Sequence, residues 1–263
     1  MNKEQLKIKV EQMPIFVLRD LATNKNLNND IETPSYEWNI QDNFRAVTEM
    51  NDTKPLCFVT KRYNLIQFKE VFNPMLDQFS NINGNITYYG GMAMMDIFPE
   101  NQECIIDNGR VGLVAVNSVN KQASVMVKFC VTHNNRLITI PKRIAGIKKV
   151  HSGKALNITK NFIELVGKIK SIWNIILNDF STKKIDLVMA KSVLEDLEIK
   201  EEFLIKKVDK YYEIHKEVTL WDLFVLLLNV IEYKTYKSEL HKRKKMDLIS
   251  SKIFKYAVMS RLI

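Results

Sequence analysis

Residues 142 to 154 read KRIAGIKKVHSGK, five cations and a histidine punctuated by two glycines, with no carboxylate among them. Lysine and arginine facing phosphates release condensed counterions, and glycines let backbone N–H groups close on an anion. Lys142, Arg143, Lys148, Lys149, His151 and Lys154, with Lys160 beyond them, are therefore candidates for holding a polyanion backbone. The competing reading is solvated charge between a sheet and a helix, but the N-terminus of a helix also favours anions. An NTPase loop is excluded: GIKKVHSGKA has six residues between its glycines where a Walker loop needs four, and Ala155 stands where the magnesium-binding hydroxyl belongs.

Other chemistry is less well served. Asp96, Glu100, Glu103 and Asp107 form the acidic cluster that a metal-dependent nuclease requires, yet no lysine or histidine sits at a characteristic spacing beside them, and a solvated loop after a hairpin explains them as well. His133, His151, His215 and His241 show no HExxH spacing, and neither GxSxG nor a dinucleotide fingerprint occurs. No catalytic residue, metal ligand or cofactor is expected. A second basic block, nine cations against Glu239 and Asp247 between 234 and 263, includes the run HKRKK at 241 to 245. It reads either as a solvated face or as a basic helical arm for a protein or a membrane surface.

The net charge of +9 agrees with a polyanionic partner, although 31 of the 39 cations are lysine and 24 residues are asparagine, a bias that an AT-rich genome also produces. Cys57, Cys104 and Cys130 are odd in number and form no CxxC pair, so a reducing, cytoplasmic setting is expected. The first residues lack the apolar run of a signal peptide, and LFVLLL (223 to 228) falls far short of the roughly 20 residues that span a bilayer.

Periodicity supplies the elements that must position these groups. Residues 1 to 50 form an N-terminal segment that is partly loop, LATNKNLNNDIETPS being rich in short polar side chains. KPLCFVTKRY has strand character, and residues 65 to 80 place Phe68, Val71, Phe72, Met75, Leu76 and Phe79 on one helical face, with Pro74 set to kink or divide the helix. Val111, Leu113 and Ala115, then Val125, Val127, Phe129 and Val131, alternate on either side of a polar turn, and Gly90-Gly91 marks a bulge or tight turn in an earlier hairpin. From Ile158 to Phe180 the period becomes helical, and Thr219 followed by Asp222 starts another helix. The fold class expected is α+β: an antiparallel sheet of hairpins packed against a long amphipathic helix (51 to 180), then a helical C-terminal region (181 to 263). Lys61 and Arg62 lie near that sheet as further cations, and Tyr63 is an aromatic for stacking on bases. Tyr88 and Tyr89, adjacent on a strand, must point to opposite faces.

The order of segments NDTKPLCFVTKRYNLIQFKEVFN, YYGGMAMMDIFPE, LVAVNSVNKQASVMVKFCVTHNN, KKVHSG and TLWDLFVLLLNVIEY resembles successive blocks of the phage/plasmid-like protein family known as domain of unknown function 932, over roughly residues 50 to 235. Arg62-Tyr63, Gly90-Gly91, Asn117-Ser118, Asn134 and His151 look like counterparts of its motif positions, while Thr132 stands where the family tends to have cysteine and an expected arginine is missing nearby. That family is in turn distantly similar to single-strand annealing proteins of the Red-beta and RecT kind. The resemblance implies a mobile-element protein that binds single-stranded DNA, promotes annealing and recombination without ATP, and forms homo-oligomers.

Overall fold

The computed structural model describes residues 1–20, 44–52, 54–120, 125–134, 136–140 and 162–259. The expected α+β class holds, with the sheets antiparallel and the C-terminal part helical. Helix α1 (Lys3–Glu11) precedes a three-stranded sheet of β1 (Phe16–Asp20), β2 (Phe44–Glu49) and β3 (Pro55–Thr60). Helix α2 (Phe68–Asp77) leads into a six-stranded sheet built from β4 (Ile82–Tyr89), β5 (Met92–Pro99), β6 (Ile105–Ile106), β7 (Gly109–Ser118), β8 (Met126–His133) and β9 (Arg136–Thr139). Its order is β4-β5-β7-β8-β9, with β6 paired to β7. Helix α3 (Phe162–Thr182) follows, then β10 (Lys184–Ile185), α4 (Leu187–Asp196), α5 (Glu202–Ile214), β11 (Val218–Thr219), α6 (Leu220–Tyr233) and α7 (Glu239–Met259).

Local chemistry explains these boundaries. Gly90 and Gly91 adopt φ of 58° and 79°, the left-handed pair that a two-residue hairpin turn requires and that only glycine adopts without strain. The anticipated β7–β8 hairpin forms, with Val111 opposite Val131, Leu113 opposite Phe129 and Ala115 opposite Val127. Thr219 caps α6 with Asp222 as its reciprocal partner. Of the two outcomes expected at Pro74, division does not occur: α2 runs from Phe68 to Asp77 with Pro74 inside it. Proline removes one helical hydrogen bond, but burial of Phe68, Val71, Phe72, Met75 and Leu76 along one face holds the helix together across that gap.

One contiguous core runs from Leu6 to Ala257, so the change of pattern near residue 180 is a change of element type over a shared interior. Helices α2 and α3 cover the face of the large sheet that carries Ala93, Leu113 and Phe129. The opposite face carries a smaller apolar cluster, Met92, Met94, Val114, Val116 and Cys130, and Leu240 of α7 closes over it. No helix among the described residues is long and apolar enough to cross a membrane.

Candidate nucleic-acid interface

Lys142, Arg143, Lys148, Lys149, His151, Lys154 and Lys160 lie outside the described residues, but both flanks of their segment are placed. Ile140, just past β9, donates its backbone N–H to the carbonyl of Phe129 at 2.9 Å. Phe162, which opens α3, stacks its ring on that of Phe129 with centroids 5.6 Å apart and an interplanar angle of 18°. A second ring, Phe79, meets Phe162 edge-on at 5.1 Å. One residue of the central hairpin thus fixes both ends of the segment 141 to 161, which holds six of the chain's lysines and arginines and no acid.

Lys61 and Arg62 are exposed in the turn that follows β3, and neither forms an ion pair among the described residues. Tyr63 is half-buried, its N–H donated to the Thr60 carbonyl and its ring packed on the core, and burial pushes its pKa up. It presents only part of its ring to solvent. The turn is held by the large sheet: buried Asn117 donates through Nδ2 to the carbonyls of Ile66 (3.0 Å) and Gln67 (3.3 Å). Gln67 in turn pairs its side-chain amide with both backbone groups of Phe16 on β1, at 2.8 and 3.0 Å. The small sheet is therefore fixed at the end of the large one where β7 finishes. Strands β7 and β9 are both antiparallel to β8, so β9 leaves the sheet heading toward that same end.

Tyr88 and Tyr89 do diverge. Tyr88 meets Phe68 edge-on at 5.6 Å on the core side, and Tyr89 meets His241 at 5.2 Å on the other, yet both stay partly exposed. Two further aromatic rings, marked by no motif in the sequence, are also open to solvent. Phe44 and Phe58 lie on the outer face of the small sheet, 36% and 47% exposed. Leu56 to Val59 is a continuous apolar run, so no alternation in the sequence separates exposed Phe58 from buried Val59.

The four acids do not converge. Asp96 is buried, and its Oδ1 lies 2.5 Å from Arg243 Nη2 of α7 with both side chains about one-tenth exposed. The approach is off the axis of a directed hydrogen bond, so the contact is ionic. Burial raises the Asp96 pKa against the pull of that guanidinium. Glu100 accepts from Asn83 Nδ2 at 2.6 Å, Glu103 is exposed, and the Asp107 carbonyl is 3.2 Å from His133 Nδ1. Among the described residues no group of three histidines, cysteines or acids is arranged to hold a metal ion.

Most of the second basic block lies on helix α7. Helix α7 lies on the second face of the large sheet, where Arg243 meets Asp96 and Lys128 of β8 meets Asp247 at 2.9 Å. Lys245 pairs with Glu201, and Lys242 lies 3.6 Å from Glu239. A cleft of about 350 Å³ beneath the helix is lined by Arg136, Lys242 and Arg243 but also by Asp96, Glu232 and Glu239, so its charges balance. No family profile, curated protein or solved structure matches the chain, and the likeness to the phage/plasmid-like family rests on the motifs alone.

Proposed function

We propose that this chain binds single-stranded DNA and promotes strand annealing without ATP, as a protein of a mobile element acting in the cytoplasm of its host. The observation that carries this reading is that residues 141 to 161 hold +6 of the chain's net +9 with no acid among them, between flanks, Ile140 and Phe162, that both contact Phe129. A tethered cationic segment neutralises phosphates along a flexible backbone at a fixed place on the fold, and Lys61 and Arg62 add charge at the sheet end toward which β9 runs. If the protein grips the backbone and leaves base edges free, two bound strands can pair. A homo-oligomer would present several such segments together and favour that encounter.

The test is the salt dependence of binding to a fluorescent oligonucleotide. Each neutralised phosphate on a single strand contributes about −0.7 to the log–log slope, so engagement of four or more of these cations gives a slope of about −3 or steeper. A slope near zero, or no binding at about 50 mM salt, rejects the reading. The nuclease alternative predicts Mg²⁺- or Mn²⁺-dependent degradation that a chelator abolishes. The pairing of Asp96 with Arg243 counts against it, because the most buried of the four acids already serves a cation of the fold.

A further inference from the structure

The register of the small sheet sets Ala46 opposite Phe58 and Phe44 opposite Thr60. Phe44 and Phe58 are therefore diagonal neighbours on one face, while Val47 and Val59, of opposite parity, are fully buried in the core. Arg19 of β1 stands opposite Ala46 on that outer face. Its guanidinium is held flat across the strands, Nε donating to Thr48 Oγ1 at 2.9 Å and Nη2 to the Met50 carbonyl at 3.2 Å. Every position of this face on the three strands is apolar, hydroxylated or basic, and none is acidic. Beyond Thr60 the chain continues directly into exposed Lys61 and Arg62.

Phenylalanine rings that a strand turns toward solvent, next to positions that bury their valines completely, add nothing to the core. Each leaves part of its ring open to solvent, 36% of Phe44 and 47% of Phe58, and the diagonal spacing across paired strands is about 7–8 Å, enough for two planar groups side by side. Base-on-aromatic stacking tolerates any sequence, and cations at the border of such a surface take the phosphates that follow. From this geometry we infer that the outer face of the three-stranded sheet is a stacking platform for unpaired bases, Phe58 and Phe44 each receiving one base and Lys61 and Arg62 the adjoining phosphates. This rests on the nucleic-acid reading above and gives it a second contact of a different chemical kind. It also moves the stacking role from half-buried Tyr63 to the two phenylalanines. The bordering cations, which form no ion pair among the described residues, favour a polyanion over a second copy of this chain, whose own net charge is +9.

The experiment compares wild type, Phe58→Leu and the double variant Phe44→Ala/Phe58→Ala in titrations against oligo-dT and an abasic oligonucleotide of the same length, across a range of salt. Wild type is expected to bind the base-bearing strand at least tenfold more tightly than the abasic one. The double variant should lose that preference and about a hundredfold of affinity for oligo-dT, roughly tenfold per ring, with an unchanged salt slope because no phosphate contact is removed. Phe58→Leu keeps an apolar side chain, so its thermal midpoint should stay near that of wild type while affinity falls about tenfold. If wild type binds oligo-dT but both variants bind it equally well, the platform is wrong and the nucleic-acid reading stands. If wild type binds no oligonucleotide at low salt, both fall. Unchanged affinity together with lost self-association in light scattering would instead identify the face as a contact between copies and overturn the proposal.

Discussion

The two basic blocks of this chain look alike as strings of letters, but one packs onto the fold beside remote acids and the other has no acid within it. In α7 several cations are spent within the fold: Arg243 on buried Asp96, Lys245 on Glu201, and Lys242 close to Glu239. In the segment between Ile140 and Phe162 six cations have no acid among them, and both ends return to Phe129. The difference teaches that the number of lysines in a run says little about the field it makes. What matters is whether the fold brings carboxylates to it, and Asp96, 147 positions away from Arg243 in sequence, shows how remote those carboxylates can be.

Breaking the α7 side of this comparison should have the largest effect. Arg243→Ala leaves the Asp96 carboxylate buried and unpaired, and should cost about 3–5 kcal/mol in urea denaturation, while Asp96→Leu/Arg243→Met should recover most of that loss because neither charge then remains buried. Reversing charge in the other block acts on binding instead. Replacing Lys142, Arg143, Lys148 and Lys149 by glutamate should lower oligonucleotide affinity more than a hundredfold at about 50 mM salt and flatten the salt slope by about 3, with little change in the denaturation midpoint. Stability lost in the second variant, or binding lost in the first while it remains folded, would invert the assignment.

A third prediction concerns the end of the large sheet where β7 begins and β8 ends. His133 packs between the rings of Trp173 and Trp221, at 5.5 and 5.3 Å, and burial lowers its pKa below the usual 6.5 despite the Asp107 carbonyl beside Nδ1. The unfolded chain then binds the proton more readily, so this stabilisation is complete above pH 6.5 and drains away as pH falls through the folded pKa. Thermal midpoints measured from pH 8 down to pH 5 should fall in wild type and fall less steeply in His133→Gln. The smallest effect is expected from Lys242→Ala, a partly exposed partner of Glu239, which should change stability by less than about 0.5 kcal/mol and leave oligonucleotide binding untouched.

Much of the fold was legible because burial leaves a local period. Alternation over Val111–Ala115 and Val125–Val131 located the β7–β8 hairpin, the glycine pair located the turn after β4, and Thr219 with Asp222 located the start of α6. Pro74 left two outcomes open because a proline's local cost says nothing of how much apolar face the helix buries around it. The candidate site was legible only in part. Its cations are visible in any string of letters, but that Tyr63 turns toward the core while Phe44 and Phe58 turn outward depends on which face of the small sheet meets the rest of the molecule. Nothing in the sequence near Arg243 announced that its partner would be Asp96.

The sequence by itself determined the class of structure, the positions of its turns and caps, and a net positive charge concentrated in two blocks, since each of these follows from neighbours within a few residues along the chain. Only the tertiary structure decided that Arg243 and Lys245 of the second block meet remote acids, which aromatic rings face water, and that one phenylalanine of the central hairpin contacts both flanks of the first block. Those outcomes depend on contacts between residues far apart in sequence. Coulomb attraction and burial act through distance in space, which chain position does not record.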